Sequence, residues 1–183
     1  MEASDNVVRL IARREGGVLI SYEDGPAWED GPERGLPRMS KGFGFQDRSV
    51  KAGDTITLKE AFVMLKEGVR LRAKHVSKLL KVPVTQAQFD ALVSLYFQSG
   101  NRYLPKLVHL INEGNAAAAA RIFPDCDRNL AGKRIPGLRK RRLIEQKLFL
   151  TGDYGELSPI PLWRGDPKTT KPEQYHVQPE DFD

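Results

Sequence analysis

The chain has 183 residues, a net charge of +5, 40% apolar and 29% charged residues, a composition that excludes a disordered or collagen-like polymer. At this length about 70% of the unfolded surface is buried on folding, so one core suffices without staples. Cys126 is the only cysteine, which excludes an intramolecular disulfide and a cysteine metal cluster.

No apolar run approaches the roughly 20 residues of a membrane span, and the opening MEASDNVV has neither a basic n-region nor an apolar h-region. The expectation is a start in a cytosol with no stable membrane insertion. From Glu156 onward three basic residues face six acidic ones, so the tail carries −3 and the body +8. A basic body attracts polyanions: nucleic acid, an anionic membrane and an anionic cell-wall polymer all qualify on charge.

Val7, Val8, Leu10 and Ile11 predict a short amphipathic helix over 5–15, with Ser4 or Asp5 as N-cap and Gly16-Gly17 as the stop. Residues 16–54 hold eight glycines and three prolines among short apolar patches, which fits at most a small hairpin sheet. Thr57 then caps a long helix and Glu60 completes a capping box. Thr85 caps a second, in which Phe89, Leu92, Val93 and Phe97 repeat at helical spacing. With Leu95 these residues read as core. Further helices are predicted over 104–113, 115–122 and 137–151. The five prolines beyond Tyr154 come without helical or strand periodicity, so residues 156–183 read as an extended proline-rich C-terminal arm on a 1–155 domain. The fold class is α+β: a small N-terminal β-hairpin region, a larger helical lobe and the arm. Charge and aromatic anchoring of Trp163, Tyr175 and Phe182 predict that the arm lies along the body.

Glu15 closes the first helix, where the negative end of the macrodipole favours a neutral acid, the form a general acid requires. Asp24 follows in L19-x-x-Y22-x-D24. Charge alone leaves Glu15 readable as a solvated surface residue. The ordered series EGG, LISYED, MSKGFGF, QFDALVSL and GLRKRRLIEQKLFLTGDY resembles the phage-type lysozymes, glycoside hydrolase family 24. The collinear match runs from residue 7 to about 155.

That resemblance implies a lysozyme-like fold and a muramidase that cleaves the β-1,4 bond between N-acetylmuramic acid and N-acetylglucosamine, with no cofactor. It implies Glu15 as the acid that protonates the glycosidic oxygen and Asp24 as the carboxylate that positions water. Inversion of configuration follows from the family's best-known members. Ser40 takes the place of the family threonine, and Phe45 that of its histidine. The segment 25–39 is an insertion that brings Glu29, Asp30 and Glu33 as rival carboxylates, with Asp30 the runner-up to Asp24. Trp28 reads either as loop packing or as a sugar-stacking platform. Gln98 and Asn101 fall where the family has a substrate-side turn, although helix termination by Gly100 explains them equally.

Four consecutive cations, Arg139 to Arg142, cover all sides of a helix, so at least one points inward. Arg141 fits the family's first arginine, with an ion pair to Glu15 implied, and its neighbours read as a solvated face. Nucleic-acid binding lacks interleaved aromatics, and His75, His109 and His176 lack metal-ligand spacing.

The expected partner is therefore the peptidoglycan glycan strand, met by a monomer acting at the periplasmic wall. A holin-type lesion or carriage in a virion would provide the route. A lytic transglycosylase and a catalytically weakened wall-binding or virion module are the competing readings.

Overall fold

The computed structural model describes residues 1–129 and 131–182; Asp183, one of the six acidic tail residues, lies outside them. The chain forms two compact units, Met1–Ile11 with Gly68–Glu156 and Ala12–Glu67 with Leu157–Asp183. In chain order the elements are α1 (Asp5–Glu15), β1 (Gly17–Glu23), β2 (Met39–Gly42), β3 (Phe45–Gln46), α2 (Leu58–Leu79), α3 (Gln86–Ser99), α4 (Leu104–Asn112), α5 (Ala116–Ile122), α6 (Pro136–Thr151), β4 (Ile160–Trp163), β5 (Glu173–Tyr175) and α7 (Pro179–Phe182). The unit boundary falls inside α1 and α2.

The α+β class and the helix positions follow the local signals. Ser4, not Asp5, caps α1, its hydroxyl accepting from the Val7 N–H at 3.3 Å. At α2, Thr57 accepts from the Glu60 N–H at 3.1 Å while Glu60 accepts from the Thr57 N–H at 2.8 Å. Thr85 and Gln88 form the same reciprocal box at α3. Each box satisfies two backbone donors that a helix start leaves open.

In the helical unit, α3 is buried over the whole run from Phe89 to Leu95. It is therefore a central helix and not one with a single apolar stripe, while Phe97 is only half-buried, under the Arg72 guanidinium at 4.4 Å. Asp90 sits inside this run and accepts from the Ser4 and Tyr154 hydroxyls, each at 2.5 Å. Burial, followed by the Asp90 hydrogen bond, pushes the Tyr154 hydroxyl up to about 12. Leu92, Leu95, Leu104, Leu107, Phe123 and Leu148 are fully enclosed, each contributing about 1.5–3 kcal/mol of transfer free energy.

The other unit is built on a five-stranded sheet in the order β3-β2-β1-β4-β5, in which only β1 and β4 run parallel. This extends the small hairpin sheet expected from the sequence: two strands come from the proline-rich tail. Ile160 and Leu162 are buried while Pro161 and Trp163 alternate with them, a period-2 signal four residues long. Pro161 lacks an N–H, and the strand tolerates it because its neighbours Ile160 and Leu162 keep their pairings with Tyr175 and Glu173. Phe43, Phe62 and Phe182 stack in series, with centroids 4.8 and 5.3 Å apart, and form the core beneath the sheet with Ile56, Leu58, Leu65, Ile160 and Leu162.

Candidate active site

Three sequence-predicted residues, Glu15, Asp24 and Ser40, and one unforeseen residue, Gln46, lie at the two ends of β1 or on β2 and β3. Gly16 turns the chain out of α1 with φ of +72°, and its N–H bonds the Ala12 carbonyl at 2.9 Å. Glu15 is thereby left exposed at the last helical position, directly ahead of β1. Asp24 follows the other end of β1, and its N–H is fixed on the Arg38 carbonyl at 2.9 Å.

The strand register brings Ser40 opposite Tyr22, and Ser40 is fully buried. Its hydroxyl donates to Asp24 Oδ2 at 3.0 Å. Gln46, opposite Ser40 on β3, donates from Nε2 to the Asp24 carbonyl at 2.9 Å and to Ser40 Oγ at 3.3 Å. Burial of Tyr22, then the charge of Asp24 beside it and hydrogen bonding toward that carboxylate, then the charge of Glu15, push the tyrosine hydroxyl up to about 12. It therefore stays a neutral donor at any physiological pH. The Ser40 hydroxyl thus holds the Asp24 carboxylate and is itself aligned by the Gln46 amide. Gln46 was missed in the sequence because nothing local marks it; only the β2–β3 register delivers it.

Two of the three rival carboxylates, Asp30 and Glu33, are otherwise engaged. Arg48 binds Glu33 Oε2 at 2.9 Å and pairs with Asp30; the hydrogen bond from Arg48 holds the Glu33 carboxyl below its usual range. The same guanidinium lies 4.6 Å from the Trp28 ring centroid, as does that of Arg38. Trp28 is consequently bound into its own loop by two cation–π contacts, and a sugar stacking on it would have to displace a guanidinium. The loop is closed by Trp28 N–H to the Leu36 carbonyl at 3.1 Å and Gly35 N–H to the Trp28 carbonyl at 2.8 Å.

The remaining predicted residues belong to the helical unit. Gln98 accepts from Arg142, and Asn101 Oδ1 lies 3.2 Å from His75 Nε2, with His75 stacked on Tyr96. Arg141 is buried, with Nε 3.2 Å from Glu145 Oε1 and Nη2 3.4 Å from the Ser94 carbonyl. The solvated-face reading fails for Arg142. It is fully enclosed, 2.5 Å from Glu145 Oε2, because Glu145 and Gln98 take up its two Nη groups, while its Nε is left without a hydrogen bond among the described residues. The exposed members of the run are Arg139 and Lys140.

Among the described residues, no group of three or more His, Cys, Asp or Glu is placed to hold a metal ion, and no helix is long and apolar enough to cross a membrane.

Residues 14–145 match the family model described as phage lysozyme. The chain is 36% identical over 154 residues to an endolysin of Bacillus phage PZA, covering 83% of this chain and 56% of that protein. It is 34% identical over 155 residues to an endolysin of Salmonella phage P22, covering 82% and 99%. The chain thus spans about half the length of the Bacillus phage relative and nearly all of the P22 one. Among solved structures, the endolysin from Escherichia coli O157:H7 phage FAHEc1 superposes with a TM-score of 0.72 at 28% identity, covering 85% of this chain and 98% of that one. The muramidase domain of SpmX from Asticaccaulis excentricus gives 0.68 at 28% identity, covering 82% and 98%.

Proposed function

The chain belongs to the phage lysozyme family, and we propose that it hydrolyses peptidoglycan as a muramidase, cutting the β-1,4 bond between N-acetylmuramic acid and N-acetylglucosamine with Glu15 as acid and Asp24 as partner carboxylate. The observation that carries this reading is the hydrogen bond from the buried Ser40 hydroxyl to Asp24, at the far end of the strand that Glu15 precedes.

Glu15 donates its proton to the glycosidic oxygen as the bond to the sugar lengthens. Positive charge then develops on the ring carbon and oxygen, and the Asp24 carboxylate offsets it while accepting a proton from the attacking water. Ser40 occupies part of the hydrogen-bonding capacity of Asp24 and fixes its orientation, which leaves the rest for that water. Inversion is carried by the resemblance of Asp24 to the family's water-positioning carboxylate. A second carboxylate so well supported favours hydrolysis over transglycosylation, which needs only the acid. Gln98 and Asn101 are proposed substrate contacts, Arg141 a proposed support for Glu15, and a host lysis role at the wall the proposed setting, reached by holin or virion.

Turbidity loss on permeabilised Gram-negative cells tests the assignment. Glu15→Gln abolishes lysis because an amide supplies no proton, a step worth about 10²–10⁴-fold. Asp24→Asn is severe and Asp30→Asn mild, since Asp30 is already committed to Arg48. The reverse ranking moves the second carboxylate into the inserted loop.

A further inference from the structure

The segment 157–183 lies beyond the residues matched by the family model, and its contacts fall on the backbone that carries the acid. We propose that this segment is a positioning element for Glu15, acting through Trp163; the inference rests on Glu15 being the general acid.

Strand β4 runs parallel to β1 with Gly17 opposite Leu162 and Val18 opposite Trp163. A Cβ built on Gly16 would lie 2.6 Å from Cζ3 of Trp163 and 3.3 Å from the Pro161 carbonyl oxygen. One built on Gly17 would lie 2.8 Å from Cδ1 of Leu162. The two glycines after Glu15 therefore admit β4 into direct contact with the backbone there. On the other side of Glu15, Arg13 donates to the Pro159 carbonyl, so residues 159–163 hold the chain both before and after the acid.

The clamp has a physical purpose. Glu15 is followed by two glycines, the residues with the least restrained backbone. A carboxyl that must meet a glycosidic oxygen within a fraction of an ångström gains from a stiff support, and the Glu-Gly-Gly sequence supplies none. Trp163 does, and it is itself held, its Nε1 donating to the Thr170 carbonyl at 3.3 Å.

The segment is fastened at its far end as well. Phe182 is buried edge-on against Phe62, with Lys66 3.9 Å over its ring. Phe62 in turn packs on Phe43, in the turn between β2 and β3 that follows Ser40. The same short segment thus supports the turn carrying the acid and the hairpin carrying the hydroxyl bound to Asp24.

The test compares full-length wild type with Trp163→Ala, Trp163→Leu and Trp163→Phe, reading kcat and KM on soluble peptidoglycan fragments and amide hydrogen exchange at residues 16–18, with folding checked by thermal melting. Trp163→Ala lowers kcat on the order of 10- to 100-fold, as expected for a misplaced catalytic group. KM stays within about twofold, the fold-change that leaves substrate binding intact, and exchange at Gly16 and Gly17 accelerates. Trp163→Phe restores most of the turnover. If the alanine form does not fold, Trp163→Leu, which keeps apolar bulk without a large ring, carries the same comparison.

Wild-type kcat in the alanine or leucine form, a change confined to KM, or unaltered exchange overturns the proposal. A wild-type protein that releases no glycan products overturns the muramidase reading instead, and the positioning role falls with it whatever the exchange data show.

Discussion

Replacing Ser40 by alanine removes one oxygen from a fully buried position on β2. That oxygen donates to Asp24 Oδ2 at 3.0 Å and accepts from Gln46 Nε2 at 3.3 Å. A hydrogen bond to a charged group contributes about 1.5–3 kcal/mol, but Asp24 is exposed and water takes over part of the loss. The lower end of that range is therefore the better guide, and about 1.4 kcal/mol corresponds to a tenfold change in rate. Because the hydroxyl orients Asp24 and makes no proposed contact with the sugar, the loss falls on kcat and leaves KM nearly unchanged. Stability drops by about 1 kcal/mol, or 2–4 °C in Tm for a protein of this size. Initial rates on dye-labelled peptidoglycan over a range of concentrations, beside a thermal melt, measure both. Ser40→Thr keeps the hydroxyl but adds a methyl to a closed site, so it retains activity while its Tm falls by a comparable amount. Equal kcat in the serine and alanine forms would refute the claim that this hydroxyl orients the second carboxylate.

Arg142→Met leaves Glu145 buried with one charged partner fewer and Gln98 without its donor, at a cost of about 3–5 kcal/mol; denaturant unfolding reads the loss, and an unchanged midpoint contradicts it. Burial and Asp24 push the Tyr22 hydroxyl up to about 12 in the folded chain, against an ordinary value of about 10. Between these pH values the unfolded chain has lost the proton that the native one keeps, so stability that is intact below pH 10 declines as pH rises toward 12. The ceiling is about 1.4 kcal/mol per pH unit for this tyrosine, and Tyr22→Phe flattens the decline in melts at pH 9, 10 and 11. A Tyr22→Phe profile identical to that of wild type contradicts the upward shift of the Tyr22 hydroxyl by burial and Asp24.

Helix ends were legible in the sequence because capping is local: Ser4, Thr57 with Glu60, and Thr85 with Gln88 each meet a partner within three residues. Ser40 and Asp24 were legible through resemblance, and their hydrogen bond is delivered by strand register. What the sequence concealed depends on distant partners. Strand β4 is four residues long and contains a proline, and its pairing with β1 joins residues about 145 positions apart. Arg142 looks like any cation in a basic run until Glu145 and Gln98 enclose it. Trp28 has the composition of a sugar platform, but Arg38 from the end of its own loop and Arg48 from the following one occupy its ring. Burial all round α3, with Asp90 at its centre, follows from how the other helices surround it and leaves no periodic trace.

In the proposed mechanism Glu15 and Asp24 direct water onto the sugar. Digestion of purified sacculi in ¹⁸O-labelled water, followed by mass spectrometry of the released muropeptides, tests it most directly. The account predicts one labelled oxygen on each new reducing end formed by the wild-type protein and no new ends with Glu15→Gln; unlabelled 1,6-anhydro ends, or undiminished release by the glutamine form, would contradict it.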